Sequence, residues 1–254
     1  MTIRKLALVT FMALSVLSPV AAKASESGHE PELHWSFEGI TGTYDRASLQ
    51  RGFKVYREVC SACHSMDRLY YRDLATLGYS EGQIKTVAGE YTFLDGPNDE
   101  GDMFERPGRA SDPFKSPYLN VEQARYANGG AYPPDMSLLV KARSGGANYI
   151  YGILTGYEEP PEGTTLLQGQ HWNKTMPGHI IAMAQPLQDG QVTYDDNSPQ
   201  TIDQYAKDVG TFLTWAAEPH MEERKRIGIT VFLFMLVFTG VMYCVKKKIW
   251  AKLH

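Results

Sequence analysis

Cysteine is scarce in this sequence: there are three in 254 residues, and Cys244 falls inside a long apolar run, leaving Cys60 and Cys63 elsewhere. Two thiols so close together cannot form an ordinary loop-closing staple, which excludes a disulfide framework of the small secreted kind. Acidic residues are missing from both ends. Residues 1–24 carry Arg4, Lys5 and Lys23, residues 224–254 carry seven lysines and arginines, and neither segment holds an Asp or Glu. The remaining 25 − 3 − 7 = 15 basic residues therefore share the middle with all 29 acids, a net charge of −14 against −4 for the whole chain. A field of that sign argues against nucleic acid and favours a basic mobile partner. Internal repeats and low-complexity tracts are also absent, so repeat architectures are excluded.

The two acid-free ends read as membrane signals. Arg4 and Lys5, the apolar stretch Leu6 to Val20 and the small-x-small end Ala22-Lys23-Ala24 describe a secretory signal peptide over residues 1–24, with the mature chain beginning near Ser25. Ile227 to Val245 contains no charged residue, and its 19 positions at about 1.5 Å each roughly match a hydrocarbon core of about 30 Å. Basic residues flank this span on both sides, Arg224-Lys225-Arg226 before it and Lys246-Lys247-Lys248 after it, so charge alone discriminates weakly between orientations. The signal peptide decides, placing the large acidic part outside a bacterial inner membrane, on the periplasmic side, as a single-pass protein. The expected division is a signal peptide at 1–24, an exported domain at 25–220, an anchor helix at 221–248 and a cytoplasmic tail at 249–254. At roughly 200 residues the exported part is one domain.

Within it the expected helices are short and widely spaced. Asp45 can cap a helix whose apolar Leu49, Phe53, Tyr56 and Val59 share one face. Val121 to Ala127 reads as a short helical turn. Pro134 and Asp135 are expected to open another helix through Leu138, Leu139 and Ala142, stopped by Gly145-Gly146, and Tyr149 to Leu154 a further one, stopped by Gly156. Glu158 to Pro199 is rich in Gly, Pro, Asn, Asp and Gln with no sustained periodicity, a length that signals a functional loop, and Ile180, Ile181, Ala182, Met183 and Leu187 suggest that part of it packs. Asp203 to Ala217 is helical again, with Val209, Phe212, Leu213 and Trp215 available for burial. The fold class expected is mostly α, with irregular loops wrapped round a buried object.

Cys60-Ser61-Ala62-Cys63-His64 identifies that object. Its spacing is that of c-type haem attachment: the two thiols add to the haem vinyl groups and the adjacent imidazole becomes an iron ligand. A redox-active thiol pair would belong with a βαβ pattern, which is not evident, and a zinc site would want more ligands than these. Gly52, Tyr56 and Cys60 recur at four-residue spacing along one helix face, where a glycine admits a second helix, and the helix carrying Val209, Phe212 and Leu213 is the expected partner.

The iron needs a sixth ligand or an open site. A methionine thioether raises the potential and suits electron transfer. Met66 is too near His64 to reach the opposite haem face, Met136 reads as helix core and Met221 adjoins the membrane, which leaves Met103, Met176 and Met183. Met183 sits in the apolar patch Ile180-Ile181-Ala182-Met183 with Pro186 close behind. His29, His34, His171, His179 and His220 are rivals, His179 foremost. Arg125 is a candidate partner for a haem propionate.

With these residues in hand, the sequence resembles the cytochrome c1 family, the haem subunits of the quinol:cytochrome c reductases (cytochrome bc1, complex III). The likeness runs from residue 35 to 250. It includes Cys60 to Asp67, Tyr71-Arg72, Asp95-Gly96-Pro97-Asn98, Met103-Phe104 and Arg106-Pro107-Gly108. Ala124-Arg125, Asn128-Gly129, Pro133-Pro134-Asp135, Leu154-Thr155-Gly156-Tyr157, Pro177-Gly178, Ala206-Lys207-Asp208-Val209 and Trp215-Ala216-Ala217-Glu218-Pro219 extend it. The resemblance implies a cytochrome c-like haem domain with one covalent haem c held by Cys60 and Cys63, His64 and Met183 as axial ligands, and Arg125 pairing a propionate. It also implies cytochrome b, the Rieske iron-sulfur protein and a soluble cytochrome c as partners, within a dimeric complex, with electrons passing from the Rieske domain to the soluble carrier. The chain departs from the family where Gln185 replaces the first of two prolines after the ligand, and it lacks the cysteines of the disulfide found in some bacterial relatives, so packing alone must hold its methionine loop. Glu158-Glu159-Pro160-Pro161-Glu162 and the acids from Asp95 to Glu105 are the expected docking charges. A haem subunit of a terminal oxidase, a free-standing anchored shuttle, and a haem enzyme such as a peroxidase with an open iron are the competing readings.

Overall fold

The computed structural model describes residues 31–251. The expected signal peptide, His29 and the last three residues of the expected tail lie outside the described residues. Helix α1, Arg46–Glu58, starts where the Asp45 carboxylate accepts from the Ala47 and Ser48 amides, as the sequence predicts. It runs into a single 3₁₀ turn, Cys60–Ala62, and a second 3₁₀ stretch spans Tyr71–Leu77. Helix α2, Glu81–Gly89, is followed by an antiparallel hairpin of β1, Thr92–Asp95, and β2, Phe104–Pro107, in which Thr92 opposes Pro107. Helix α3 occupies Val121–Ala127 behind an Asn120 cap, and α4 Ala147–Thr155. Two-residue strands β3, His171–Trp172, and β4, Ile180–Ile181, pair antiparallel. Helix α5, Ile202–Ala217, is capped by Thr201, and α6 runs from Met221 to Trp250. The mostly α expectation holds.

Two helices crossing at a glycine organise the core. A Cβ placed on Gly52 of α1 would lie 2.1 Å from the Asp208 carbonyl oxygen and 2.7 Å from the Phe212 Cβ of α5, so only glycine lets these backbones approach so closely. Phe212 and Leu213 are fully buried there with Leu49 and Val55, each worth about 1.5–3 kcal/mol of apolar burial. Phe53, Tyr56, Phe114 and Tyr71 continue the cluster as neighbouring rings. One polar knot lies in the same interface: the fully buried Asp208 accepts from Ser48 Oγ at 2.7 Å and from both Nε and Nη2 of Arg51 at 2.9 Å. Helix α4 packs against α5 as well. At Gly210 of α5 a Cβ would sit 3.1 Å from the Trp35 ring, whose Nε1 donates to Asn148 of α4 at 2.7 Å.

The first turn of α6 belongs to the haem-motif domain rather than to the span. Met221 is buried, Glu222 accepts from the Tyr44 amide at 2.8 Å and pairs with Arg46, and Lys225 Nζ donates to the carbonyls of Phe37 and Gly42 at 2.6 and 3.0 Å. Beyond it Ile227 to Val245 is exposed along its length, and the helix is long and apolar enough to cross a membrane. It ends at Trp250, two residues past the expected end of the anchor.

One local expectation needs correction, and one helix was missed. Pro134 to Ala142 forms turns, not a helix. Its opening polar groups are already engaged elsewhere: the Met136 amide donates to the Ser65 carbonyl at 2.9 Å and the Asp135 carboxylate takes Ser65 Oγ and the Asp67 amide. Residues 158–199 are irregular as expected, apart from the short β3–β4 pair. Helix α2 was not anticipated, although Ser80 and Gln83 form a reciprocal capping box at its start.

Candidate haem centre

Helix α1 delivers the Cys60–His64 motif directly from its C-terminal end, with Cys60 in the following 3₁₀ turn. Both thiols are free and half-buried. Burial, reinforced by the neighbouring Cys63, pushes the Cys60 thiol up to about 12, so it is protonated at neutral pH. The His64 amide and the Cys63 amide both donate to the Cys60 carbonyl, closing the turn.

The orientation of His64 is fixed from across the chain. Its Nδ1 lies 2.8 Å from the Pro134 carbonyl oxygen. A carbonyl can only accept, so Nδ1 carries the proton and Nε2 keeps its lone pair. Desolvation lowers the imidazole pKa, outweighing the Pro134 hydrogen bond and the nearby Asp135 charge, and the neutral, ligating form prevails. The segment bearing Pro134 is zipped to the motif by several bonds. Asp135 Oδ2 accepts from Ser65 Oγ at 2.8 Å and from the Asp67 amide at 2.9 Å, Oδ1 accepts from the Ser137 amide at 2.9 Å, and Ser137 Oγ accepts from the Arg68 amide at 3.1 Å. Asp67 shares this corner, where burial and then the Asp135 charge raise its carboxyl pKa.

Met183 is half-buried and bracketed by fixed points. The β3–β4 pair precedes it, and Leu187, 1% exposed, anchors the chain after it. Its carbonyl accepts from the Tyr157 hydroxyl at 2.9 Å. Tyr157 follows the C-terminus of α4 and forms a β-bridge with Asn173. The elements therefore connect the two ligand candidates: α1 leads through the 3₁₀ turn to His64 and crosses α5, and α5 packs on α4, beyond whose end Tyr157 reaches Met183.

The other candidates are placed differently. Met66 is fully buried and Met136 nearly so, Met103 is 54% exposed on the hairpin, and the Met176 sulfur accepts from the Tyr149 hydroxyl at 3.6 Å. His34 and His220 are exposed, and His171 lies in β3. His179 adopts φ +61 in the turn before β4 and stacks on Trp172 at 4.9 Å, with its backbone carbonyl accepting from the Asn173 amide and its Nδ1 buried without a partner among the described residues. Arg125 is exposed on α3, and its Nη1 donates to the Gly130 carbonyl at 2.9 Å, leaving other guanidinium donors for an anion. Glu158, Glu159 and Glu162 are exposed, as are Asp99, Glu100, Asp102 and Glu105, whereas Asp95 pairs with Arg106. Sequence reasoning did not find Asp135 and Tyr157 as functional residues. Both lie in stretches quoted for the family resemblance, but contacts spanning 68 and 26 positions have no local signature.

The Cytochrome C1 family matches residues 35–253. "Cytochrome b/c1" of Bradyrhizobium diazoefficiens is 50% identical over 272 residues, which cover 98% of this chain and 40% of that protein, so the chain spans about two fifths of that relative. Cytochrome c1 of Rhodospirillum rubrum is 47% identical over 249 residues, covering 91% of each. A mitochondrial cytochrome c1 haem protein of Arabidopsis thaliana is 48% identical over 246 residues, covering 95% of this chain and 80% of that one.

Proposed function

The chain belongs to the cytochrome c1 family, and from that premise we propose that it is the electron-transfer subunit of a cytochrome bc1 complex, taking electrons from the Rieske iron-sulfur protein and delivering them to a soluble cytochrome c. A bound haem c supplies a one-electron couple at its iron. The observation that carries the reading is the bond from His64 Nδ1 to Pro134, because it presents Nε2, unprotonated, beside two free thiols at haem-attachment spacing. The donor set fits the group. Cys60 and Cys63 would hold it through two thioethers, each formed by adding S–H across a vinyl double bond. His64 and Met183 would ligate the iron, and Arg125 would pair a propionate. No bond in a substrate changes here, so the chain is not an enzyme alone but a redox subunit of a quinol:cytochrome c oxidoreductase.

The placement follows from the same reading. Residues 1–24 act as a signal peptide, residues 25–220 form the periplasmic haem domain, 221–248 anchor it in the inner membrane beside cytochrome b, and 249–254 face the cytoplasm in a dimeric complex. The exposed acids of residues 158–162 and 99–105 draw in a basic carrier.

A reduced-minus-oxidised spectrum of the membrane-bound protein tests the centre, with carbon monoxide added to the reduced form. A c-type spectrum indifferent to carbon monoxide is expected. Carbon monoxide binding to the native protein would mean an open iron and bring forward a haem enzyme. Loss of the protein when cytochrome b is deleted distinguishes the complex subunit from a free-standing shuttle.

A further inference from the structure

The loop from Glu158 to Pro199 that carries Met183 contains no cysteine, and the chain's three cysteines lie at the haem motif and in the membrane span. Something other than a covalent staple must fix the methionine. Tyr157 stands immediately before this loop, and its hydroxyl lies 2.9 Å from the Met183 carbonyl and 3.5 Å from that of Ala184. We propose that Tyr157 is the positioning residue of the methionine ligand, its hydroxyl holding the Met183 backbone so that the thioether points to the iron without search.

The root of Tyr157 is as fixed as its tip. A Cβ on the preceding Gly156 would meet the Gly152 carbonyl oxygen at 2.5 Å and Asn173 Oδ1 at 2.9 Å, so the α4 end and the loop press together there. The Gly156 carbonyl accepts from the Lys174 amide at 2.9 Å, and the buried Asn173 donates from Nδ2 to the Ile153 carbonyl at 2.8 Å. The ring therefore bridges a rigid helix end and the ligand-bearing residue. Burial raises the Tyr157 phenol above its usual range, which keeps it a proton donor wherever the protein is folded. This hydrogen bond would restrain the Met183 backbone in a loop that holds no cysteine.

The inference rests on Met183 being the sixth ligand, and the experiment separates the two. Tyr157→Phe is made in the whole membrane complex and compared with wild type and Met183→Leu for covalent haem content, the thioether-to-iron band of the oxidised form and the carbon monoxide-reactive fraction of the reduced form. Tyr157→Phe is expected to retain covalent haem and raise the reactive fraction roughly five- to tenfold, the factor for one hydrogen bond of about 1 to 1.4 kcal/mol. Replacement of Tyr157 by 4-aminophenylalanine, which restores a donor, is expected to reverse much of the change. An unchanged band and reactive fraction in Tyr157→Phe, with the band abolished in Met183→Leu, overturns the positioning role alone. A band that survives Met183→Leu overturns the ligand assignment itself. If the Phe chain does not assemble, 4-fluorophenylalanine, which lacks the donor but keeps the volume, is read by the same criteria.

Discussion

At the scale of single residues, buried polar groups in this protein act as fixed points because each has its partners. Asp208 is the clearest: fully buried, it takes two bonds from Arg51 and one from Ser48, with Gln204 Nε2 adding a third donor residue at 3.1 Å. Removing the carboxylate leaves a guanidinium 16% exposed with only the peripheral Asp196 to pair with. Asp208→Ala is therefore expected to destabilise the folded domain by about 3 kcal/mol, and Asp208→Asn by less, because an amide still accepts from Ser48. The urea midpoint, at constant slope, measures both. His64 follows the same logic, since the Pro134 carbonyl partnering its Nδ1 decides which nitrogen keeps its lone pair.

At the scale of elements, close approach matters more than helix propensity. Gly52 and Gly89 are both helical glycines, but a Cβ at Gly52 would fall within 2.1 Å of α5 backbone while one at Gly89 meets nothing within 4 Å. Gly52→Ala is expected to cost about 3 kcal/mol or more by forcing α1 and α5 apart, and Gly89→Ala to be neutral or slightly stabilising. Thermal unfolding of the two variants side by side decides it. The β1–β2 hairpin instead depends on charge. Arg106 donates to Asp112 from Nη1 and Nη2 at 2.6 and 2.9 Å and also pairs with Asp95. The Arg106 hydrogen bond, against the opposing effect of burial, holds the Asp112 carboxyl below its ordinary value of 3.8. A depressed native pKa stabilises the fold above the unfolded value and loses that contribution as pH falls through the native one. Backbone hydrogen exchange across Thr92–Pro107, corrected for intrinsic rates, is thus expected to be flat from neutral pH down to about 3.8 and to accelerate below it.

At the scale of the whole molecule, charge and anchorage set how the centre meets partners. The part between the two acid-free ends carries −14. On the proposed function, its reaction with a basic soluble cytochrome is expected to slow roughly tenfold or more as ionic strength rises from about 0.01 M to 0.15 M and the Debye length shrinks from about 30 Å to 8 Å. Stopped-flow rates that rise with salt would reverse the expected sign of the partner. The bonds of Glu222 and Lys225 to Arg46, Tyr44, Phe37 and Gly42 fasten the anchor helix to the domain before it leaves the protein interior.

Several outcomes that rest on local signals were determined by the sequence itself. The Asp45 cap, the bounds Val121–Ala127 and the apolar helix through Ile227 to Val245 each follow from residues within a few turns of one another. The glycine at position 52 announced a helix crossing, and the partner helix was legible from its apolar face. Helix α2 carried a local signal too, in Ser80 and Gln83, but its polar composition gave little amphipathic pattern. Only the tertiary structure decided the rest, because it depended on which distant group claims a given hydrogen bond. Pro134 to Ala142 has a helix-opening sequence and does not form the helix, since Ser65, Asp67 and His64 take its carbonyl, carboxylate and amide first. The loop that carries Met183 has no periodic pattern to read, and its geometry comes from Tyr157 and Asn173, whose partners lie 26 and 20 residues away. Local free energies choose helices and caps, whereas the register of an irregular loop is chosen by long-range bonds that exist only once the core has brought their ends together.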